Sequence, residues 1–405
     1  MNYLRACFLL LGLVASPLAA QTRSERWAQD INFFANQFRT VHPQAFARVS
    51  PSDFDQAVTD LISRTGELTD YEILLGINRI AALVGDAHSW IYTFQANSGM
   101  RQLPIRLRYL KDGFYVVNAG PAAIPALGRK VTAINSIPVD EVLARVRPFI
   151  PAENDHWATY QALPMLVSPE VLHAARIVPS NTAPVRFTFD DFSLELTVDN
   201  SGLSAFPRKA RPQTPLHLRS QNLRYWFEYL PDSRTLYIQY NQCQQDPAMP
   251  MAEFGRQVAA FAAENPVERT VFDLRYNTGG DSSIIAQLLL PLQELVVAGK
   301  LAPRKNVAFI GRQTFSSGMN NAIDLKSTGQ VTLVGEPTGG SPNGPGEVRG
   351  FLLPNSRFQG QISTKPFALP GYAGKDTVAP DVLIEMTIDD WANERDPLLQ
   401  WLIAN

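Results

Sequence analysis

"VFDLRYNTGG", Val271 to Gly280, decides how this chain is read. An apolar run ends in Asp273 and Arg275, and paired glycines lead into a helix-like stretch, "SSIIAQLLLPLQELV". The same alternation of strand and helix patterns continues on both sides, from "TLYIQYN" and "MAEFGRQVAAFAAEN" to "NVAFIG", "SSGMNNAIDLKS" and "VTLVGEP". It predicts an α/β domain with a largely parallel sheet, whose loops beyond the strand ends are where catalytic groups gather. Gly279 and Gly280 let backbone N–H groups approach a ligand closely, and the helix start beyond them favours negative charge. That suits an oxyanion hole. A plain turn is the bland alternative.

Two further loops carry possible chemistry. "RQTFSSGMNN", Arg312 to Asn321, sets Ser316 and Ser317 where an apolar run gives way to a helix. One hydroxyl could simply cap that helix; a nucleophile there would have its neighbour's N–H aimed at the same oxyanion. "LVGDAHSWIY", Leu83 to Tyr92, sets His88 in a polar break between apolar runs, beside Asp86 and Ser89. Of the five histidines, His88 is the best placed to serve as a base. Each signal alone is weak.

Upstream the texture differs. Apolar residues at three- and four-residue spacing from Glu25 to about Ala82 predict helices, with "SPSDFD" and "LTDYE" supplying caps. From about Leu103 short strand-like runs take over, interrupted by a helical patch from Glu153 to Val178. "SAFPRKARPQTP", Ser204 to Pro215, is Pro-rich and basic and is expected to link this part to the α/β domain. The expected divisions are 21–100, 101–203 and 204–405.

The 405 residues carry 45% hydrophobic and 18% charged side chains and a formal net charge of -2, which argues against a nucleic-acid binder. "MNYLRACFLLLGLVASPLAAQ" has the layout of a secretory signal peptide, expected to occupy 1–20 and to send the protein to the periplasm or outside the cell. Its removal leaves Cys243, expected to be a free buried thiol, so the mature chain can hold no internal disulfide. No other stretch approaches a transmembrane span. There is no H-E-x-x-H or clustered ligand spacing, so neither a metal nor a cofactor is expected.

Taken together, "VFDLRYNTGG", "TFSSGM" and "VGEPTGG", in this order and at close spacing, resemble the C-terminal processing peptidases, or tail-specific proteases. The resemblance covers about Leu223 to the C-terminus. It implies a Clp-protease/crotonase-like α/β catalytic domain, a serine peptidase acting on a peptide or protein, Ser316 as nucleophile and the Ser317 N–H as an oxyanion donor with Gly279 or Gly280. In the best-known branch a lysine follows "GEPT" by two residues as general base. Here that place is held by Ser341, whose hydroxyl cannot act as a base near neutral pH. The chain instead resembles the branch of the tricorn core and the retinoid-binding-protein-like modules, which implies His88, from "GDAHS", as base. Glu347, from "PNGPGEV", would then orient it, through Ser89 or a water. "TFSSGM" departs from the family in having Met319 where an acidic residue usually follows the serine. "GFYVVNAGPAAIPALGRKVTAINSIPVDEVLARV", Gly113 to Val146, resembles a PDZ core, with the helical patch as an insertion. The rival expectations are a degenerate member that binds a peptide or apolar ligand without cleaving it, and an esterase.

Overall fold

The computed structural model describes residues 21–199 and 214–405. The expected leader at 1–20, with Cys7, and most of the expected linker lie outside the described residues.

Three helices open the described chain: α1 (Arg23–Thr40), α2 (Pro51–Ser63) and α3 (Asp70–Val84). Each begins at a capping side chain that accepts an otherwise orphaned N–H. Ser50 Oγ accepts from Asp53 N–H, while Thr22 with Glu25 and Thr69 with Glu72 form capping boxes. α3 ends at Gly85, φ 72°, a left-handed conformation that glycine takes without a Cβ penalty. That turn throws the chain straight into the Asp86–Ser89 loop.

The middle of the chain carries two small antiparallel sheets. One pairs Ile105–Leu110 with Gly113–Ala119. The other runs Ile137–Pro138, Ala133–Ile134, Val185–Thr188, Ser193–Leu196. The helices Val139–Val146, Asp155–Met165 and Pro169–Ala174 lie between these strands in sequence, and their apolar faces fill the same core.

The C-terminal part is built on six strands in the order Val382–Leu383, Val331–Gly335, Lys305–Ile310, Arg269–Asp273, Thr235–Tyr240, Tyr225–Leu230. All neighbours are parallel except the last pair. The Thr235–Tyr240 strand is buried at every position, as expected where both faces of a parallel sheet are covered. Helices Met251–Glu264, Ala286–Val297 and Ser317–Ser327 contribute to one core, and the C-terminal helix Pro397–Ala404 to another.

Two features join these parts. The long hairpin Asn343–Leu352/Gln359–Ala368 takes Trp90–Ile91 as a third strand, pairing Trp90 with Gln361 and Ile91 with Gly360. Ile91, Leu353, Phe358 and Ile362 then share a core with Phe34, Phe38 and Ile77 of the opening helices. Phe315, next to Ser316, is buried among side chains of the middle region rather than in the core under its own sheet. The chain is thus mixed α/β, with its three regions meeting around residues 86–91 and 315.

Candidate active site

Ser316 sits between the strand Lys305–Ile310 and the helix Ser317–Ser327, at the helix cap position. It makes no side-chain cap hydrogen bond. Its backbone is at φ 50°, ψ -128°, a region that costs a non-glycine residue roughly 1–3 kcal/mol. Close neighbours hold it there. A Cβ on Gly279 would lie 2.8 Å from Ser316 Cβ, and one on Gly340 would lie 3.0 Å from Ser316 N. Ser317 is committed elsewhere: its hydroxyl donates to Gly280 O at 2.6 Å.

The paired glycines divide their labour. Gly279, φ 110°, donates its N–H to Asn277 Oδ1 at 2.9 Å, so that group is already satisfied. Gly280, φ 133°, packs on Cys243, where an added Cβ would come within 2.1 Å of the carbonyl oxygen. Of the two expected donors, Gly280 is the one whose N–H has no hydrogen bond among the described residues, and the Ser317 N–H at the helix start is likewise unclaimed. Asn277 organises this corner. Its Nδ2 donates to Tyr240 O at 2.9 Å, and its carbonyl accepts the Phe315 N–H at 3.0 Å. Cys243 is a free, fully buried thiol that donates to Asn277 and Asn321, and burial pushes it up to about 11, as an inert group.

His88 packs against the residue that precedes Ser316. Its ring stacks on Phe315 with centroids 4.4 Å apart, and Trp157 covers the same ring at 4.0 Å. Nδ1 lies 3.7 Å from Asp86 Oδ1 and 3.8 Å from Glu153 Oε1, ion-pair contacts too long for hydrogen bonds. Both ring nitrogens are buried without a hydrogen-bond partner, so none joins His88 to Ser316. Burial pulls the imidazole down, but the two carboxylates outweigh it and the group is pushed up to about 9.

The carboxylates themselves are held tightly. Asp86 Oδ1 accepts the His88 N–H at 2.8 Å; Oδ2 takes His42 Nε2 at 3.0 Å, Ser363 Oγ at 2.7 Å and Ser89 Oγ. Gln44 donates its N–H to His42 Nδ1, so the His42 proton is on Nε2 and points at Asp86. Burial works against the Asp86 charge, but His42, His88 and Ser89 hold the carboxyl well below its usual range. Glu153 accepts the Ala87 N–H at 3.1 Å through Oε1, while Oε2 is buried with no partner. Burial raises this carboxyl despite the nearby His88. The next residue, Asn154, caps the helix Asp155–Met165 by accepting the Trp157 N–H, and its Nδ2 donates to Gly339 O and Asp376 O.

Two expectations need correction. Glu347 does not orient His88. It lies exposed on the long hairpin, φ 51°, with its carboxylate 2.6 Å from Lys365 Nζ. Ser89 does not relay to it either: it donates to Asp86 and accepts the Ser363 N–H at 2.9 Å. The carboxylates beside His88 are Asp86, two residues away, and Glu153, which no motif singled out. Ser341 donates to Asn343 O within a turn, and Met319 is buried among the sheet's apolar residues.

No protein-family model and no curated protein sequence matches the chain. Solved structures do. Mature CPAF complexed with lactacystin superposes with a TM-score of 0.64 at 13% identity, covering 94% of this chain and 97% of that one. A serine-to-alanine mutant of CPAF gives 0.64 at 12%, covering 94% and 98%. The fold is that of mature CPAF. The photosystem II D1 C-terminal processing protease covers 89% of this chain and 93% of its own at 12% identity, with a TM-score of 0.39. The meeting point of the three regions is the loop cluster just described. No described helix is long and apolar enough to cross a membrane.

Proposed function

We infer that this chain is a serine hydrolase, a peptidase in its most direct reading, that works through an acyl-enzyme. Ser316 attacks the scissile carbonyl, His88 accepts its proton and returns it to the leaving group, and the Ser317 and Gly280 N–H groups receive the oxyanion. Asp86 and Glu153 position the imidazole and favour its charged form, the part a third triad member plays. The observation that carries the reading is the strained, uncapped Ser316 at a helix start, next to the residue on which His88 stacks. A mere cap would relax into an ordinary extended backbone and bond a helix N–H. Strand, tight turn, serine and helix is also the order in which hydrolase nucleophiles are held, and Ser316 is half-buried there. We further propose that the protein is exported, that the middle region is PDZ-like and that the C-terminal domain is Clp/crotonase-like.

The test is active-site labelling with a fluorophosphonate. Wild type should label and Ser316→Ala should not; equal labelling of the two sinks the assignment. One observation favours a second reading, a protein that binds peptide or apolar ligands without cleaving them: His88 is packed on Phe315 and makes no hydrogen bond to Ser316. Apo geometry often tightens only when substrate binds. Peptide binding with neither labelling nor turnover would establish this second reading, and turnover of esters alone would make the protein an esterase.

A further inference from the structure

We propose that Asp86, His88 and Glu153 form a binding site for a divalent transition-metal cation of the zinc class, and that the cation silences the site by occupying His88 Nδ1. One donor atom from each residue lies within 4.8 Å of the other two. The individual contacts are 3.7 Å from Nδ1 to Asp86 Oδ1 and 3.8 Å from Nδ1 to Glu153 Oε1. Tetrahedral zinc, with bonds of ~2.0–2.2 Å to nitrogen and oxygen, needs its donors about 3.3 Å apart. Closing the set around an ion takes about half an ångström at each Nδ1 contact and up to about 1.5 Å between the two carboxylate oxygens.

A second observation points to a ligand. Glu153 Oε2 is buried without a partner, its side chain 3% exposed, and both His88 ring nitrogens are equally without one. Groups of this kind are normally paired. Asp86 Oδ1 accepts a single N–H, so it has a lone pair to give, whereas Oδ2 already takes three donors. One imidazole and two carboxylates suit zinc or a neighbouring first-row ion. Calcium and magnesium prefer more oxygen ligands.

The silencing follows from the tautomers of imidazole. A neutral ring has one protonated and one free nitrogen. To take the Ser316 proton, His88 must keep its lone pair on Nε2 and its proton on Nδ1, facing the carboxylates. A cation on Nδ1 uses that lone pair, so the ring proton sits on Nε2 and nothing is left there to accept the serine proton. Metal and base function are therefore mutually exclusive on one ring. The binding claim stands by itself; the silencing claim rests on the serine hydrolase reading.

Cobalt(II) reports the site directly, through the visible absorption of low-coordinate cobalt. Titrating metal-free wild type should give a band that saturates at about one ion per chain and is bleached by zinc. The band should be missing in His88→Ala and in Glu153→Gln and retained in Ser316→Ala, with melting curves showing each variant folded. In wild type, zinc should slow fluorophosphonate labelling at least about tenfold, and a chelator should restore it. No band in wild type, or a band that survives in His88→Ala, overturns the site. A normal band with undiminished labelling overturns the silencing. Should wild type never label, the hydrolase reading fails while the cobalt band still judges the metal site.

Discussion

Ser316 and Ser317 are neighbours with opposite commitments. Ser317 Oγ is tied to Gly280 O at 2.6 Å, whereas Ser316 carries the backbone strain and has no cap bond. Ser317→Ala should therefore still label, at a stability loss of about 1–2 kcal/mol from the orphaned carbonyl, measured by urea unfolding. His88 makes the pH dependence explicit. Burial would lower its pKa, but Asp86 and Glu153 push it up to about 9. The neutral form that can act as base fills as pH rises through that value, so the labelling rate should climb on the alkaline side. Glu153→Gln removes one raising influence, and the limb should move to lower pH; an unmoved limb would show that Glu153 does not act on His88. The same linkage makes the stability contribution of His88 complete below its unfolded pKa of about 6.5 and lost as pH rises through about 9. Ser316 and His88 could be picked out from sequence because each stands in a short, patterned loop. Glu153 could not. It sits 66 residues from the Ala87 N–H it accepts, and only the packing of the middle region brings the two together. The Gly279 N–H was equally hidden, since its use by Asn277 is a matter of loop conformation.

Among the elements, the helix Asp155–Met165 matters more than a helical insertion would suggest. Its cap, Asn154, also bonds Gly339 O and Asp376 O, and Trp157 stacks on Phe315. Asn154→Ala should cost about 1–3 kcal/mol by urea unfolding, and it should slow labelling by more than that loss explains, because Glu153 moves with the cap. The glycine pair gives a sharper steric expectation. A methyl group at Gly280 would meet Cys243 O at 2.1 Å, so Gly280→Ala should be strongly destabilising or fail to fold, as read by thermal unfolding. The strand and helix runs were readable because period and caps agree along them; α2 and α3 begin at the capping residues that "SPSDFD" and "LTDYE" offer. The hairpin that takes up Trp90–Ile91 was not readable, since a two-residue strand has no period.

Across the whole molecule, Arg275 of "DLRYN" ties the sheet to the chain's end. It bonds Asp273, and reaches Asp396 at 3.0 and 2.8 Å across 121 residues, while His217 adds a contact to Asp396 at 3.1 Å. Burial opposes the Asp396 charge, but Arg275 and His217 hold the carboxyl far below its usual range. Its stabilising effect is therefore present above the ordinary carboxylate pKa and fades as pH falls. Arg275→Met should lose roughly 3–5 kcal/mol in denaturant unfolding, the usual penalty for stranding buried charges. The motif's strongest letters thus serve architecture, a role sequence pattern alone could not separate from chemistry. The hairpin sets one more condition, on timing. Gln361 and Ser363 bond the His88 loop from 273 to 277 residues downstream. As the chain is made, His88 and then Ser316 emerge well before that platform exists. A growing chain, or one truncated before the hairpin, would carry Ser316 and His88 without the framework that brings them together, and the proposed hydrolase could form only once the hairpin is in place.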